Sequence, residues 1–353
     1  MSPARWAKGS RIMAAFIHPT SIMSTSRPLR WGILGAARIA GSALIPALRA
    51  TRSEIVAVGC RDEARGAAYA KTHGIANVTS YEGLIERDDV DAIYNALPNH
   101  GHAPWSIRAM HAGKHVLCEK PLALNADEVA QMKAASEATG KLVMEAFMYR
   151  FHPQIDRLRE VLASGRLGPL KWMRGSFTYS LRDMGDCRWD PKLGGGALYD
   201  LGCYPLSIMR LVTQAEPKVM SVVSRLTDPS LYEGGSVDHA AHAVLGFETA
   251  SGRVLGHLDS SFSLPFFCHF EALCEDGILR LPIPFASKGV QTELHIGDEV
   301  ERFAICDPYA MMVEHFEAAA RGECALRFGM DDSLNQAIAM DALLAGAHAH
   351  PVA

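Results

Sequence analysis

With 353 residues, 48% apolar and 21% charged, the chain has the makeup of an ordinary globular protein long enough for two cores. A formal net charge of -4, with no run of Lys or Arg, offers no footprint for nucleic acid, and no apolar stretch is long enough to span a bilayer. Eight cysteines form no CxxC pair and no Cys/His zinc spacing, so buried reduced thiols are expected and a metal is not.

No acidic residue precedes Glu54, while Arg5, Lys8, Arg11 and Arg27 stand among Ser, Thr and Ala. That composition is like an organelle transit peptide, but the apolar run at 12–17 is too short for a secretory core. Residues 1–27 are therefore expected to be a disordered or targeting-like extension, with Met13 and Met23 as alternative start sites. The location expected for the rest is cytoplasmic, organelle targeting being left open.

From residue 28 short apolar runs alternate with helical patterns. Strands are expected at 30–34, 54–59, 92–97, 115–118 and 142–145, and helices at 39–50, 62–73, 102–112 and 126–139. This alternation predicts a doubly wound parallel sheet of the Rossmann kind over 28–149. After Arg150 the rhythm changes. A helix at 153–164 leads to a long strand at 170–181, a glycine-rich loop and a helix near 198–211. Strands then follow one another from 219 to 302, and helices return at 309–320 and 332–347. The pattern predicts an α+β domain over 150–353 with a large, mostly antiparallel open sheet.

In the first strand-to-helix turn, Gly35-Ala36-Ala37-Arg38-Ile39-Ala40 takes the place of GxGxxG, with alanine at the second and third glycine positions. Glycine permits the tight turn, and small residues let the backbone approach a pyrophosphate at a helix N-terminus. Alone the match is weak, but its place directly after a strand strengthens it. The second strand ends Gly59-Cys60-Arg61-Asp62, with Arg65 one helical turn on. A guanidinium suits a 2′-phosphate, so Arg61 and Arg65 favour NADP, with NAD the alternative. Asp62 is either a ribose acceptor or a helix N-cap, and the cap is preferred.

Two further segments carry chemistry. HVLCEKPLAL (115–124) is an apolar strand ending in Glu119, Lys120 and Pro121, and lysine at the carboxyl edge of a parallel strand faces the ligand crevice. GGGALYDLGCYPL (194–206) sets Asp200 and Tyr204 four apart, on one face of a helix. Free tyrosine and lysine, with pKa values of ~10, are poor bases at neutral pH. Opposing effects of burial and neighbouring charge are expected to bring one of the two close to working pH. His100 and His102 lack carboxylate or thiolate partners, and His239 and His242 point opposite ways on a strand, so neither pair reads as a metal site.

These stretches together resemble the Gfo/Idh/MocA oxidoreductases. The resemblance is carried by WGILGAARIA (31–40), YNALPNHGHAPWSIRAMHAGKHVLCEKPLAL (94–124), EAFMYRFHP (145–153) and GGGALYDLGCYPL, and runs nearly to the C-terminus. Tyrosine rather than histidine at position 204 is similar to the branch holding dimeric dihydrodiol dehydrogenase, glucose–fructose oxidoreductase and xylose dehydrogenase. The resemblance implies catalytic roles for Lys120, Asp200 and Tyr204. It implies cofactor contacts from Leu97, Pro98, Asn99, His102 and Glu119, and an Arg188 that closes over the cofactor. Arg150 and His152 fall where the family commonly places substrate contacts, beside Asp200 and Tyr204. A small-molecule substrate (a sugar, polyol or cyclic dihydrodiol) and a homodimer or higher homo-oligomer are implied as well. Ala37, where the middle glycine is usual, is the one departure.

The expected reaction moves a hydride between nicotinamide and a secondary alcohol or its carbonyl. Tyr204 is assigned the proton, Lys120 the orienting charge and Asp200 a hydrogen bond to substrate; the Tyr204 and Lys120 roles are open to exchange. An NAD-dependent glycosidase on the same fold and a non-catalytic NADP-sensing regulator are the competing readings.

Overall fold

The computed structural model describes residues 10–11, 27–349 and 351. Apart from Ser10, Arg11 and Arg27, the expected N-terminal extension lies outside the described residues.

The first sheet contains β2 (Arg30–Leu34), β3 (Glu54–Gly59), β4 (Asn77–Thr79), β5 (Ala92–Asn95), β6 (His115–Cys118) and β7 (Val143–Glu145), in the order β4-β3-β2-β5-β6-β7. Every pairing is parallel. Helices cover both faces, which is why β2, β5 and β6 read as continuous apolar runs. Strand order reverses between β2 and β5, opening a crevice at their carboxyl ends. β4 and the short helix Tyr81–Ile85 went unread in the sequence, because a three-residue polar strand carries too little pattern.

A 3₁₀ turn, Met148–Phe151, follows β7 and leads into the helix Pro153–Ala163. The second sheet has β1 (Ser10–Arg11) at one edge and β8 (Leu170–Thr178) near its middle. The other strands are β9 (Pro217–Leu226), β10 (Asp238–Thr249), β11 (Gly252–Ser261), β12 (Phe267–Cys274), β13 (Ile278–Leu281), β14 (Thr292–Ile296) and β15 (Glu299–Phe303). Their order is β1-β15-β14-β13-β12-β8-β11-β10-β9, antiparallel except for the β8–β11 and β1–β15 pairs. Cys203–Thr213 and Met330–Ala349 pack on its inner face.

The domains meet along the helix Pro308–Ala320. Its Glu317 accepts hydrogen bonds from the fully buried Trp31 indole (2.8 Å) and the Ser53 hydroxyl (2.6 Å) of the first domain. Among the described residues no helix is long and apolar enough to cross a membrane.

Candidate active site

Gly35 ends β2 with φ of 93°, a left-handed conformation that favours glycine, and its N–H donates to the Gly59 carbonyl at 2.9 Å. A Cβ there would stand 3.0 Å from Leu97 Cδ2, so glycine also permits the turn's close approach to the end of β5. Helical residues start at 38, pass through a π turn at Ala40–Leu44 and continue as Ile45–Ala50. The first N–H groups of such a segment have no partner inside the helix and point toward the crevice, where a pyrophosphate fits. Behind the turn, the Tyr69 hydroxyl donates to the Ala37 carbonyl (3.0 Å) and Arg65 to the Ala36 carbonyl (3.1 Å). Asp62 accepts from the Arg65 N–H at 2.8 Å as N-cap of the helix Glu63–His73. Arg61 is exposed at the end of β3, beside the Tyr81 phenol.

Lys120 follows β6 at the carboxyl edge of the sheet. Its ammonium donates to Asp200 Oδ1 and to the Asp200 backbone carbonyl, both at 2.9 Å. The other Asp200 oxygen accepts from Arg188 Nε (2.8 Å) and the Tyr179 hydroxyl (3.0 Å). Lys120 Nζ also stands 5.1 Å from the centre of the Tyr204 ring. An amine from one domain thus meets a carboxylate and a phenol ring from the other, next to the dinucleotide turn. This is an arrangement able to orient and protonate an oxygen beside a nicotinamide.

Residues 29–147 match the model described as an oxidoreductase family with an NAD-binding Rossmann fold, and 155–280 match the GFO/IDH/MocA C-terminal domain. The chain belongs to the Gfo/Idh/MocA oxidoreductase family. It is 36% identical over 323 residues to a D-xylose 1-dehydrogenase (NADP(+)) of Haloferax volcanii, covering 89% of this chain and 96% of that one. A trans-1,2-dihydrobenzene-1,2-diol dehydrogenase of Mus musculus is 35% identical over 213 residues, 59% of this chain and 64% of its own length. The crystal structure of a 3-ketoreductase from Actinomadura kijaniata, in complex with NADP and TDP-benzene, superposes with a TM-score of 0.84. It is 32% identical and covers 92% of this chain and 99% of that one.

Within this family frame the remaining site residues divide into two groups. Leu97, Pro98 and Asn99 line the loop after β5, and the Asn99 amide donates to the Gly194 carbonyl at 2.7 Å, tying that loop to the glycine-rich one. His102 is buried, with Nδ1 2.7 Å from the Pro121 carbonyl and Nε2 2.8 Å from that of Leu97. Burial, the leading cause, lowers its pKa to about 4, so the neutral ring donates to only one of them. Its place is a brace between the two cofactor-side loops. Glu119 accepts from the buried Tyr94 hydroxyl and from the Lys120 N–H. Ile39 is half-buried in the turn's helix, and Arg38 is exposed, paired with Asp186 at 3.0 Å. Asp186 also holds Arg188 (3.1 Å), completing a chain of charges from the dinucleotide turn to Lys120.

The two remaining expected substrate contacts, Arg150 and His152, are both buried. Arg150 is buried against Asp332, with its guanidinium carbon 4.1 Å from the Phe328 ring centre. His152 is fully buried as N-cap of Pro153–Ala163, accepting from the Gln154 N–H at 3.1 Å. Burial alone does not set Arg150 apart from the site, since Tyr204 is as enclosed (6% and 5% exposed).

The electrostatics also correct the sequence expectation. Burial works against the Lys120 ammonium, but Asp200, with Cys203 and Glu119 adding, raises it above the ordinary lysine range. Burial likewise disfavours the Asp200 carboxylate, and Lys120 and Arg188 outweigh it, holding Asp200 well below the usual range. Burial, reinforced by Glu119, raises Tyr204 well above an ordinary phenol. Its ring is enclosed by Phe147, Tyr149, Phe177 and Phe285, and its hydroxyl faces Met148 Sδ at 3.8 Å. Neither Lys120 nor Tyr204 is brought close to neutral pH; both are held protonated. Tyr179, Asp186 and Tyr94 were missed in the sequence, since a lone tyrosine or a loop aspartate carries no periodic signal. Among the described residues no group of three or more His, Cys, Asp or Glu is placed to hold a metal.

Proposed function

We propose that the protein is an NADP-dependent oxidoreductase that moves a hydride between nicotinamide and a secondary hydroxyl, or its carbonyl, on a sugar, polyol or cyclic dihydrodiol. The observation that carries this reading is the Lys120–Asp200 ion pair at the carboxyl edge of β6, closed across by Arg188 and Tyr179. Arg61 just after β3 and Arg65 in the first turn of the helix Glu63–His73, with Asp62 committed to capping, favour the 2′-phosphate of NADP over a free ribose hydroxyl. The Haloferax relative is named for NADP and the Actinomadura structure holds it, which supports the same preference.

NADP, when bound, supplies the hydride exchange at nicotinamide C4. Lys120 is the group that orients the reacting oxygen, with Asp200 keeping its ammonium charged. Tyr204 is assigned the proton given up when a carbonyl is reduced: burial keeps the phenol protonated and makes it a weak acid, and the Lys120 ammonium 5.1 Å from its ring is the charge that favours the phenolate left behind. Asp200, held ionised, accepts a hydrogen bond from a substrate hydroxyl. The outward face of the larger sheet, bearing Trp172, His257 and the exposed Phe267, is assigned to contact with a second copy of the chain.

The test is a panel of aldoses, polyols and trans-dihydrodiols offered with NADP and with NAD, read in the reduced-nicotinamide absorbance band. Growth of the band with NADP and at least one secondary alcohol is expected. Absence of nicotinamide turnover across the panel with either cofactor would overturn the reading and return the chain to the glycosidase or sensor class.

A further inference from the structure

Behind each member of the Lys120–Asp200 pair stands a buried carboxylate that the chemistry above does not use. Glu145, at the end of β7, is 2% exposed, and its Oε1 accepts the Leu122 N–H at 3.0 Å. The Ser333 hydroxyl of the helix Met330–Ala349 also bonds this carboxyl. Asp238, at the start of β10, is 1% exposed; its Oδ2 accepts the Leu198 N–H at 2.8 Å, and its carboxylate also takes the Ala197 N–H. Leu122 lies two residues after Lys120, and Leu198 two residues before Asp200.

The glycine-rich loop is shaped around Asp238. Gly196 has φ of 121°, and a Cβ on it would come within 2.5 Å of Asp238 Oδ1. The backbone therefore passes directly over the carboxylate. Desolvating an acidic group is unfavourable unless hydrogen bonds answer it, and a neutral amide of the same shape would fill either space at lower cost. Burial raises both carboxyls to about 7, against the backbone hydrogen bonds that favour their charged forms; what each adds is an oxygen aimed at a backbone N–H beside a reacting residue, and the one at Leu198 also faces the start of a helix.

The need for such anchors follows from the pair itself. Lysine reaches its partner along a flexible four-carbon stem, so the distance between ammonium and carboxylate depends on where the two backbones are held. They belong to different domains. The helix Met330–Ala349 joins the Glu145 support to the other domain, with Ser333 on Glu145 and the Gln336 amide donating to the Cys203 carbonyl at 2.9 Å, in the helix that carries Tyr204.

We infer that Glu145 and Asp238 are positioning residues. From opposite domains they fix the backbone at Leu122 and Leu198, and thereby set the geometry in which Lys120 meets Asp200. The inference rests on the redox reading of that pair.

The full-length Glu145→Gln and Asp238→Asn proteins, loaded with NADP, test it. Each amide keeps one acceptor oxygen and replaces the other with a donor. In each folded variant kcat should fall roughly ten- to hundredfold, as expected for a sub-ångström misplacement of reacting groups, while NADPH affinity stays within about twofold. The Leu122 amide should exchange its hydrogen faster in Glu145→Gln alone, and that of Leu198 in Asp238→Asn alone. A folded variant with wild-type kcat overturns the inference, as does a loss of NADPH affinity equal to the loss of kcat. If Asp238→Asn fails to fold, Glu145→Gln carries the test. If the wild-type protein itself turns over nothing, the redox reading falls. Positioning is then judged on the nitrogen-15 signal of the Lys120 ammonium. That signal should move in either variant but not in the surface variant Glu160→Gln, and an unmoved signal overturns the inference.

Discussion

Two arrays of charge run through this molecule, one inside the cleft and one across the outer face of the larger sheet. In the cleft, Arg38, Asp186, Arg188, Asp200 and Lys120 follow one another at 2.8–3.1 Å. On the outer face Arg280 holds Glu271 at 2.9 Å, Arg174 lies 3.9 Å from the same carboxylate, and His242 meets Asp259 at 2.5 Å. The contact lengths overlap; what sets the cleft array apart is its inner end, since Arg38 at its mouth is 81% exposed and only the Lys120–Asp200 pair is enclosed on both sides. The side chains of Lys120 and Asp200 are 11% and 13% exposed, while those of Arg174 and His242 are 53% and 48% exposed. A unit charge pair at 4 Å is worth about 1 kcal/mol in water and about 4 kcal/mol where the effective dielectric is near 20. Enclosure, rather than the number of charges, turns one array into a device that keeps Lys120 protonated and Asp200 ionised. The other, within one copy of the chain, stays largely in water.

The contrast can be broken most sharply at Asp200. Asp200→Asn removes the charge that holds the ammonium and should lower kcat roughly a hundredfold or more in a steady-state assay with NADP. A fall of only a few-fold would place the buried array with the outer one. A second effect belongs to enclosure alone. His102 has its pKa lowered to about 4, so below its ordinary value of 6.5 the unfolded chain takes up a proton that the folded chain refuses. The contribution of the neutral ring is complete above pH ~6.5 and is lost as pH falls toward ~4, by up to ~3 kcal/mol. Urea titrations of the wild type and His102→Gln should therefore converge as pH is lowered through this window; a constant gap would contradict it.

Gly196→Ala tests how closely the loop is fitted to the buried carboxylate. With φ of 121° and Asp238 Oδ1 at 2.5 Å from the new Cβ, the variant should lose roughly 1–3 kcal/mol of stability by denaturant titration. The smallest effect is expected on the outer face. Arg174→Gln removes a 53% exposed guanidinium 3.9 Å from its carboxylate and should change stability by no more than about 0.5 kcal/mol, with turnover unaltered. A larger loss is expected only where the second copy assigned to this face covers the array.

Much of the first domain was legible because each central strand is apolar on both faces: RWGIL, AIYN and HVLC announce a sheet buried between helices. The second sheet was legible as a succession of strands, but the parallel β8–β11 pair at its centre depends on long-range pairing that no local pattern records. Lys120, Asp200 and Tyr204 stood out as residue types in unusual surroundings, yet eighty positions separate Lys120 from Asp200, and only the fold brings them to 2.9 Å. Arg150 and His152 are a different case. Their side chains have the right chemistry for a substrate, and nothing in EAFMYRFHP distinguishes a guanidinium facing a cleft from one sealed against Asp332. The π turn at Leu198–Gly202 interrupts the expected helix where Asp200 leaves it, a detail of register that propensity does not encode.

The most direct measurement follows deuterium from C4-deuterated NADPH to a carbonyl substrate, in the wild type and in Lys120→Met, with NADPH binding checked by fluorescence. The wild type should deliver the label to the carbonyl carbon, and Lys120→Met should bind NADPH normally but transfer label at least about a thousandfold more slowly. Equal transfer by the two proteins would contradict the central role given to the Lys120–Asp200 pair.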